Sequence, residues 1–154
     1  MIAHINIGSN LGNRAASIDR AVALLSDLGE VRAVSSPFVS RAWGYESDNE
    51  FLNVGVNLET DLPSLDLLEG LKRIERQIAP EGTHRTVDGG YADREIDLDL
   101  IARGAELICT PELTLPHPRM RQRAFVLGPL AELMPEWRHP KTHLTASEML
   151  RLIQ

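Results

Sequence analysis

The stretch Arg94-Glu95-Ile96-Asp97-Leu98-Asp99-Leu100-Ile101 constrains the fold more than any other part of this 154-residue chain. Apolar and acidic residues alternate there, and on a strand alternate side chains point to opposite faces. Ile96, Leu98 and Leu100 therefore share one side, Asp97 and Asp99 the other. Such a strand needs a core against its apolar side and something polar against the opposite one. Asp is a poor strand former, and two carboxylates on one face repel unless positive charge lies between them. Two residues along a strand is a rise of roughly 6.6 Å, which lets both converge on one site. A pair of divalent cations roughly 3.5–4 Å apart would use that spacing. Mg²⁺ is the natural candidate, being held by a few carboxylates plus substrate phosphates. Taken alone, the pair reads as a solvated strand face as readily as a metal site.

The rest of the chain supplies partners for this strand. Residues 2–8 alternate as Ile2, His4, Asn6 against Ala3, Ile5, Ile7, and Gly8 closes a first strand. Asn13 then caps a helix over about 14–28, whose stripe Ala15, Ile18, Val22, Leu25, Leu28 has helical spacing. Residues 31–39 read as a strand with Pro37 at an edge or bulge. Residues 51–60 read as another, with Leu52, Val54, Val56 and Leu58 opposite Phe51, Asn53, Gly55 and Asn57. Pro63 opens a second helix that runs to Ile78. Glu75 borders its apolar face, where a boundary salt bridge is the plain expectation. Residues 80–93 carry three glycines and no periodicity, and their length suits either a lid or an insertion. Beyond Arg103-Gly104 come a short strand over 106–109, an extended Leu115-Pro116-His117-Pro118, and a short helix around Pro129–Leu133. Residues 147–153 form a last helical turn or two. The order β-α-β-β-α-β is that of the ferredoxin-like split βαβ plan, an α+β sandwich with C-terminal additions. It implies one domain over 1–154, with helices on one face of an antiparallel sheet and the other face free for a site.

Composition narrows the function classes. A net charge of −6 argues against general nucleic-acid or membrane-surface binding. With 5% aromatics the chain also lacks what an RNA-recognition sheet requires. Basic residues are 14 Arg against 2 Lys, and six of the arginines, Arg85 to Arg123, fall within 39 residues. Arg favours bidentate phosphate or carboxylate recognition, so this cluster implies a local anion site. The single cysteine, Cys109, excludes an internal disulfide and is expected as a small buried side chain in a reducing compartment. No basic leader or apolar run of 18 residues is present, so a cytoplasmic protein is expected. His139 and His143 are separated by Pro140, which denies helical ligand spacing, and both are expected at the surface.

Five motifs in order resemble one family. They are Gly8-Ser9-Asn10-Leu11-Gly12, Phe51-Leu52-Asn53, Arg73-Ile74-Glu75, Arg94-Glu95-Ile96-Asp97-Leu98-Asp99, and Pro116-His117-Pro118-Arg119-Met120 with Arg123-Ala124-Phe125. Over roughly residues 2–137 the chain is similar to 6-hydroxymethyl-7,8-dihydropterin pyrophosphokinase of folate biosynthesis. The resemblance implies transfer of the terminal diphosphate of ATP to the pterin hydroxymethyl group, with release of AMP. It implies two Mg²⁺ ions on Asp97 and Asp99, with Arg94 directed at phosphate. Glu75, Thr114, His117 and Arg123 match positions on the nucleotide side. Asn53 matches the side chain that hydrogen-bonds the pterin, Phe51 lies beside it, and Phe125 and Tyr91 are placed to sandwich the ring. Backbone groups around Ser40, Ala42 and Trp43 would read its amide edge. The chain departs from the family pattern in places: Tyr91-Ala92-Asp93 stands where the family usually carries Trp-Gly-Pro, the loop before it is longer than in compact members, Lys72 replaces a common glutamine and Glu112 an occasional arginine. ATP and the pterin are the expected partners, without nucleic acid or membrane, and the protein is expected to be a monomer or weak dimer. A catalytically silent relative that binds pterin or nucleotide is the alternative.

Overall fold

The computed structural model describes residues 1–40, 50–80 and 95–154. Five strands, β1 (Ile2–Ser9), β2 (Glu30–Val34), β3 (Phe38–Ser40), β4 (Phe51–Glu59) and β5 (Asp97–Arg103), form one antiparallel sheet. Its order is β2-β4-β1-β5, with β3 continuing along the same side of β4 as β2. With α1 (Arg14–Leu24) after β1 and α2 (Ser64–Ile78) after β4, this is the split βαβ arrangement that the element order implies.

The two helices cover one face. Ala3, Ile5 and Ile7 of β1, Val54, Val56 and Leu58 of β4, and Ile96, Leu98 and Leu100 meet Ile18, Ala21, Leu67, Leu71, Ile74 and Ile78 in one core. Asn13 caps α1, its Oδ1 accepting from the Ala16 amide. The helix then tightens into a 3₁₀ turn over Leu25–Asp27 rather than running on to 28. Gly70 lets α2 approach α1, because a Cβ there would lie 2.7 Å from a Leu28 methyl.

Three departures from the pattern-based reading have local causes. The expected strand over 31–39 breaks into β2 and β3 around Ser35-Ser36-Pro37. Ser35 uses both its amide, on Gly55 O at 2.9 Å, and its hydroxyl, which accepts from Gly55 N at 2.8 Å, and Pro37 has no N–H to continue a ladder. The strand expected over 106–109 is only Ile108–Cys109 (β6), paired with Thr114–Leu115 (β7). On so short a hairpin the pleat turns Ile108 inward and Cys109 out, so the thiol is exposed rather than buried. The C-terminal helix is also longer than expected. α3 spans Ala124–Leu133 with Pro129 inside it.

Among the described residues, the second face of the sheet is therefore half covered. α3 and α4 (Ala146–Arg151) pack over its lower end in a second cluster, with Ile101, Ala102, Met120, Val126, Leu127, Leu130 and Met149. His4 is fully buried there, its Nδ1 2.9 Å from Asn57 Oδ1. His139 is buried as well, not at the surface; its Nδ1 accepts from the amides of Lys141 and Thr142 at 3.1 and 3.4 Å. This shapes a turn. His143 closes it with a left-handed φ of 62°.

A bulge in β5 serves both layers. His4 pairs Ala102 and Ile5 pairs Leu100, so Ile101 is the extra residue. Two adjacent side chains, Ile101 and Ala102, then face α3, and Arg103 is turned to the other side. There Arg103 is buried, donating to Ser64 Oγ at 3.2 Å and to Thr60 O at 3.1 Å. Replacing Arg103→Met is expected to lower unfolding free energy by about 2 kcal/mol, the cost of two charge-assisted bonds. Urea titration checks it; an unchanged midpoint would mean the guanidinium contributes no net stability.

Candidate active site

The open face of the sheet is ordered in rows by the strand register. Asn53, Gly8 and Asp97 are cross-strand neighbours in the upper row, and Gly55, Asn6 and Asp99 in the row below. All lie on the face away from α1 and α2, as the alternation implies. Strands spaced about 4.8 Å apart set Asn53 and Asp97 roughly 10 Å from each other across Gly8. Gly8 keeps that interval open: a Cβ there would lie 2.7 Å from Asn53 Oδ1 and 3.5 Å from the Phe51 ring. Asn53 is buried and donates to Ser40 Oγ at 3.0 Å, which ties the end of β3 to β4. Ser9 Oγ donates to Glu95 O at 2.6 Å and fixes the chain where it enters β5.

Positive charge meets the carboxylates from above. Arg123, the residue before α3, is buried, and its Nη1 lies 4.0 Å from Asp99 Oδ2. The guanidinium carbon sits 5.6 Å from the centroid of the Phe125 ring, within cation–π range. Arg123 and Phe125 are two residues apart on either side of a helix start, so their side chains converge on the open face instead of splaying around a helix.

Three of the residues expected on the nucleotide side, Glu75, Thr114 and His117, gather at the outer edge of β5. A cleft of about 250 Å³ is lined by Leu68, Leu98, Asp99, Leu100, Leu113, Thr110, Glu112, Thr114 and His117. Its floor is aliphatic and its rim polar, a composition suited to a flat base and a sugar. The His117 amide donates to Ile101 O at 2.8 Å, which hangs this segment on the bulge. Burial, and after it the charge of Arg123, pushes His117 down to about 4. It is a neutral imidazole at physiological pH, with Nδ1 accepting from the Arg119 amide at 3.2 Å. Glu75 also has a backbone role that its spacing does not announce: Oε2 accepts from the Leu98 amide at 2.8 Å. It thereby holds the β5 edge between the two Asp positions.

The structure thus brings together Ser40, Phe51, Asn53, Asp97, Asp99, Arg123 and Phe125 on the open face, and Glu75, Thr114 and His117 at the cleft beside it. Ala42, Trp43, Tyr91 and Arg94, with His84 and Arg85, lie outside the described residues. Gly8 and Asn6 were missed as site residues. The polar stripe His4-Asn6-Gly8 on an otherwise apolar strand was their signal. Among the described residues no helix is long and apolar enough to cross a membrane.

Fold and site together define an α+β sandwich that presents carboxylates, a buried arginine and aromatics on one sheet face beside a cleft of about 250 Å³. Residues 4–135 match the family model of 7,8-dihydro-6-hydroxymethylpterin-pyrophosphokinase, HPPK. A 2-amino-4-hydroxy-6-hydroxymethyldihydropteridine pyrophosphokinase of Bacillus subtilis is 40% identical over 134 residues, 86% of this chain and 77% of that one. One of Porphyromonas gingivalis is 37% identical over 142 residues, covering 91% and 95%. An HPPK-DHPS crystal structure of Plasmodium falciparum superposes with a TM-score of 0.73 at 16% identity, covering 98% of this chain and 45% of that longer one. The chain belongs to the 7,8-dihydro-6-hydroxymethylpterin-pyrophosphokinase family. It is a transferase of folate biosynthesis, a pyrophosphokinase with ATP as co-substrate.

Two outcomes follow from this geometry. Gly8→Ala is expected to push the Asn53 side chain aside and raise the pterin KM about tenfold while the fold survives, read by steady-state kinetics and circular dichroism; an unaltered KM would mean that Asn53 does not reach the ligand. The second concerns pH. His4 and His117 both stand near 4 in the folded protein against 6.5 ordinarily, through burial in each case. Between those values the unfolded chain binds protons that the folded one refuses, so stability is full above about 6.5 and declines as pH falls toward 4. The urea midpoint should drop from pH 6.5 to 5, less steeply in His4→Gln; a flat midpoint over that window contradicts it.

Proposed function

We propose that Asp97 and Asp99 would hold two Mg²⁺ ions, which would supply charge neutralisation for the ATP triphosphate, and that the 6-hydroxymethyl-7,8-dihydropterin lies across Gly8 between Asn53 and Asp97. The hydroxymethyl oxygen attacks the β-phosphorus, the bond between the α- and β-phosphates breaks, and AMP leaves. The observation that carries this reading is the upper row of the sheet, a hydrogen-bonding amide and a carboxylate either side of a glycine, with Arg123 4.0 Å from Asp99.

The donor set fits the metal. Asp97 and Asp99 would offer hard carboxylate oxygens, with substrate phosphates and water completing the shell. That is how Mg²⁺ is commonly bound. Bound there, the ions would neutralise the triphosphate and align it for in-line displacement. The protein's own groups do the rest. Arg123 and Arg94 stabilise charge on the phosphates, and the neutral His117 offers a hydrogen bond to phosphate without adding positive charge. Thr114 and the aliphatic cleft take the nucleoside, while Glu75 keeps β5 fixed beside it. Asn53 hydrogen-bonds the heterocycle with Phe51 beside it, Phe125 and Tyr91 stack on it, and the backbone around Ser40, Ala42 and Trp43 meets its amide edge. Diphosphoryl transfer needs positioning and charge stabilisation more than covalent chemistry, and these residues supply both.

AMP release from ATP and Mg²⁺, with and without pterin, tests the assignment. Wild type is expected to form AMP only with pterin, and Asp97→Ala to lose about 10³-fold or more in rate while keeping its circular dichroism spectrum. Near-normal turnover in Asp97→Ala would sink the metal assignment.

A further inference from the structure

Pro129 lies inside α3. Lacking an N–H, it gives no helical donor to the carbonyl four residues earlier, that of Phe125. A donor comes from the sheet instead: Asn6 Nδ2 lies 2.9 Å from Phe125 O. Asn6 is buried on β1, with Asp99 as its neighbour on β5 and Gly55 on β4. Gly55 completes the fit, since a Cβ there would lie 2.8 Å from Pro129 Cβ. The start of α3 is thus held to two adjacent strands, by Arg123 over Asp99 and by Asn6 on the Phe125 backbone.

We propose that Asn6 is a positioning residue for the pterin: through the Phe125 carbonyl that Pro129 leaves open, it sets the height and tilt of the Phe125 ring above the sheet. This rests on the reading that Phe125 stacks on the pterin. Asn6 itself touches no reacting atom. A helix held at its first turn by apolar packing alone slides and tilts at little cost, whereas a buried amide–carbonyl bond has a fixed length and direction. A ring meant to stack on a flat heterocycle depends on that height within fractions of an ångström.

Four variants separate positioning from stability: Asn6→Ala, Pro129→Ala, the double variant, and Phe125→Ala. Pterin KM, ATP KM and kcat are read from AMP release, and thermal midpoints from circular dichroism. Asn6→Ala is expected to raise pterin KM about tenfold, to change ATP KM less than twofold, and to lower the midpoint. Pro129→Ala alone keeps wild-type kinetics. In the double variant a backbone N–H at position 129 again serves the Phe125 carbonyl, so the midpoint recovers. The pterin KM stays raised, because the helix is no longer tied to β1. Recovery of both in the double variant overturns the proposal, leaving a bond that merely stabilises α3. Should Asn6→Ala fail to fold, the double variant alone carries the decision. If Asn6→Ala leaves pterin KM within twofold while Phe125→Ala raises it, the tether is wrong and the stacking role stands. If Phe125→Ala leaves it unchanged, the stacking reading falls, and the tether with it.

Discussion

Everything on the open face depends on the pleat of β1. Its odd residues, Ala3, Ile5 and Ile7, are committed to the core beneath α1 and α2. Its even residues, His4, Asn6 and Gly8, are each the middle member of a row across three strands. From the bottom of the sheet upward the rows change from a buried imidazole–amide pair, to an amide that reaches α3, to bare backbone. One strand therefore grades the face from solid packing to open trough. A shift of one residue in register would exchange the two sets, placing Ile7 under the carboxylates and Asn6 in the core.

The helices act on that gradient from both sides. On the core side, Glu75 of α2 reaches the edge of β5 and accepts the Leu98 amide, a hydrogen bond that fixes the backbone between Asp97 and Asp99. On the open side, α3 closes the lower rows and stops short of the upper one. Glu132 anchors its far end by accepting from the Ser36 amide and hydroxyl where β2 gives way to β3. The same two bonds hold the Glu132 carboxyl below the usual carboxylate range. Among the described residues, the candidate site is built on strands and a helix start.

Much of this was legible in the chain. Alternation in β1, β4 and the Asp97/Asp99 strand gave the correct faces, and helical spacing gave α1 and α2 to within a turn, because each of these elements turns its aliphatic residues to one side. What escaped was set by contacts between distant residues. Pro129 looked like the start of a helix because nothing local shows that Asn6, 123 positions earlier, completes the carbonyl it leaves open. His139 looked polar and exposed because its burial depends on a turn whose amides it accepts. Glu75 was placed on the right border of α2, but an acceptor for a strand amide has no signature in helical spacing. The split at Ser35-Ser36-Pro37 was half visible, through Pro37; the hydroxyl that takes a ladder partner's place was not.

The grip on β5 has one more consequence. Among the described residues β5 ends the sheet, and the end strand of a sheet offers its outer backbone groups to any passing strand. Here two of them are already engaged, the Leu98 amide by Glu75 and the Ile101 carbonyl by the His117 amide. The contacts that shape the cleft also work as a selvedge. A strand adding to the sheet on this side would first have to break both, so the shape of the cleft and the protection of the edge rest on the same two hydrogen bonds.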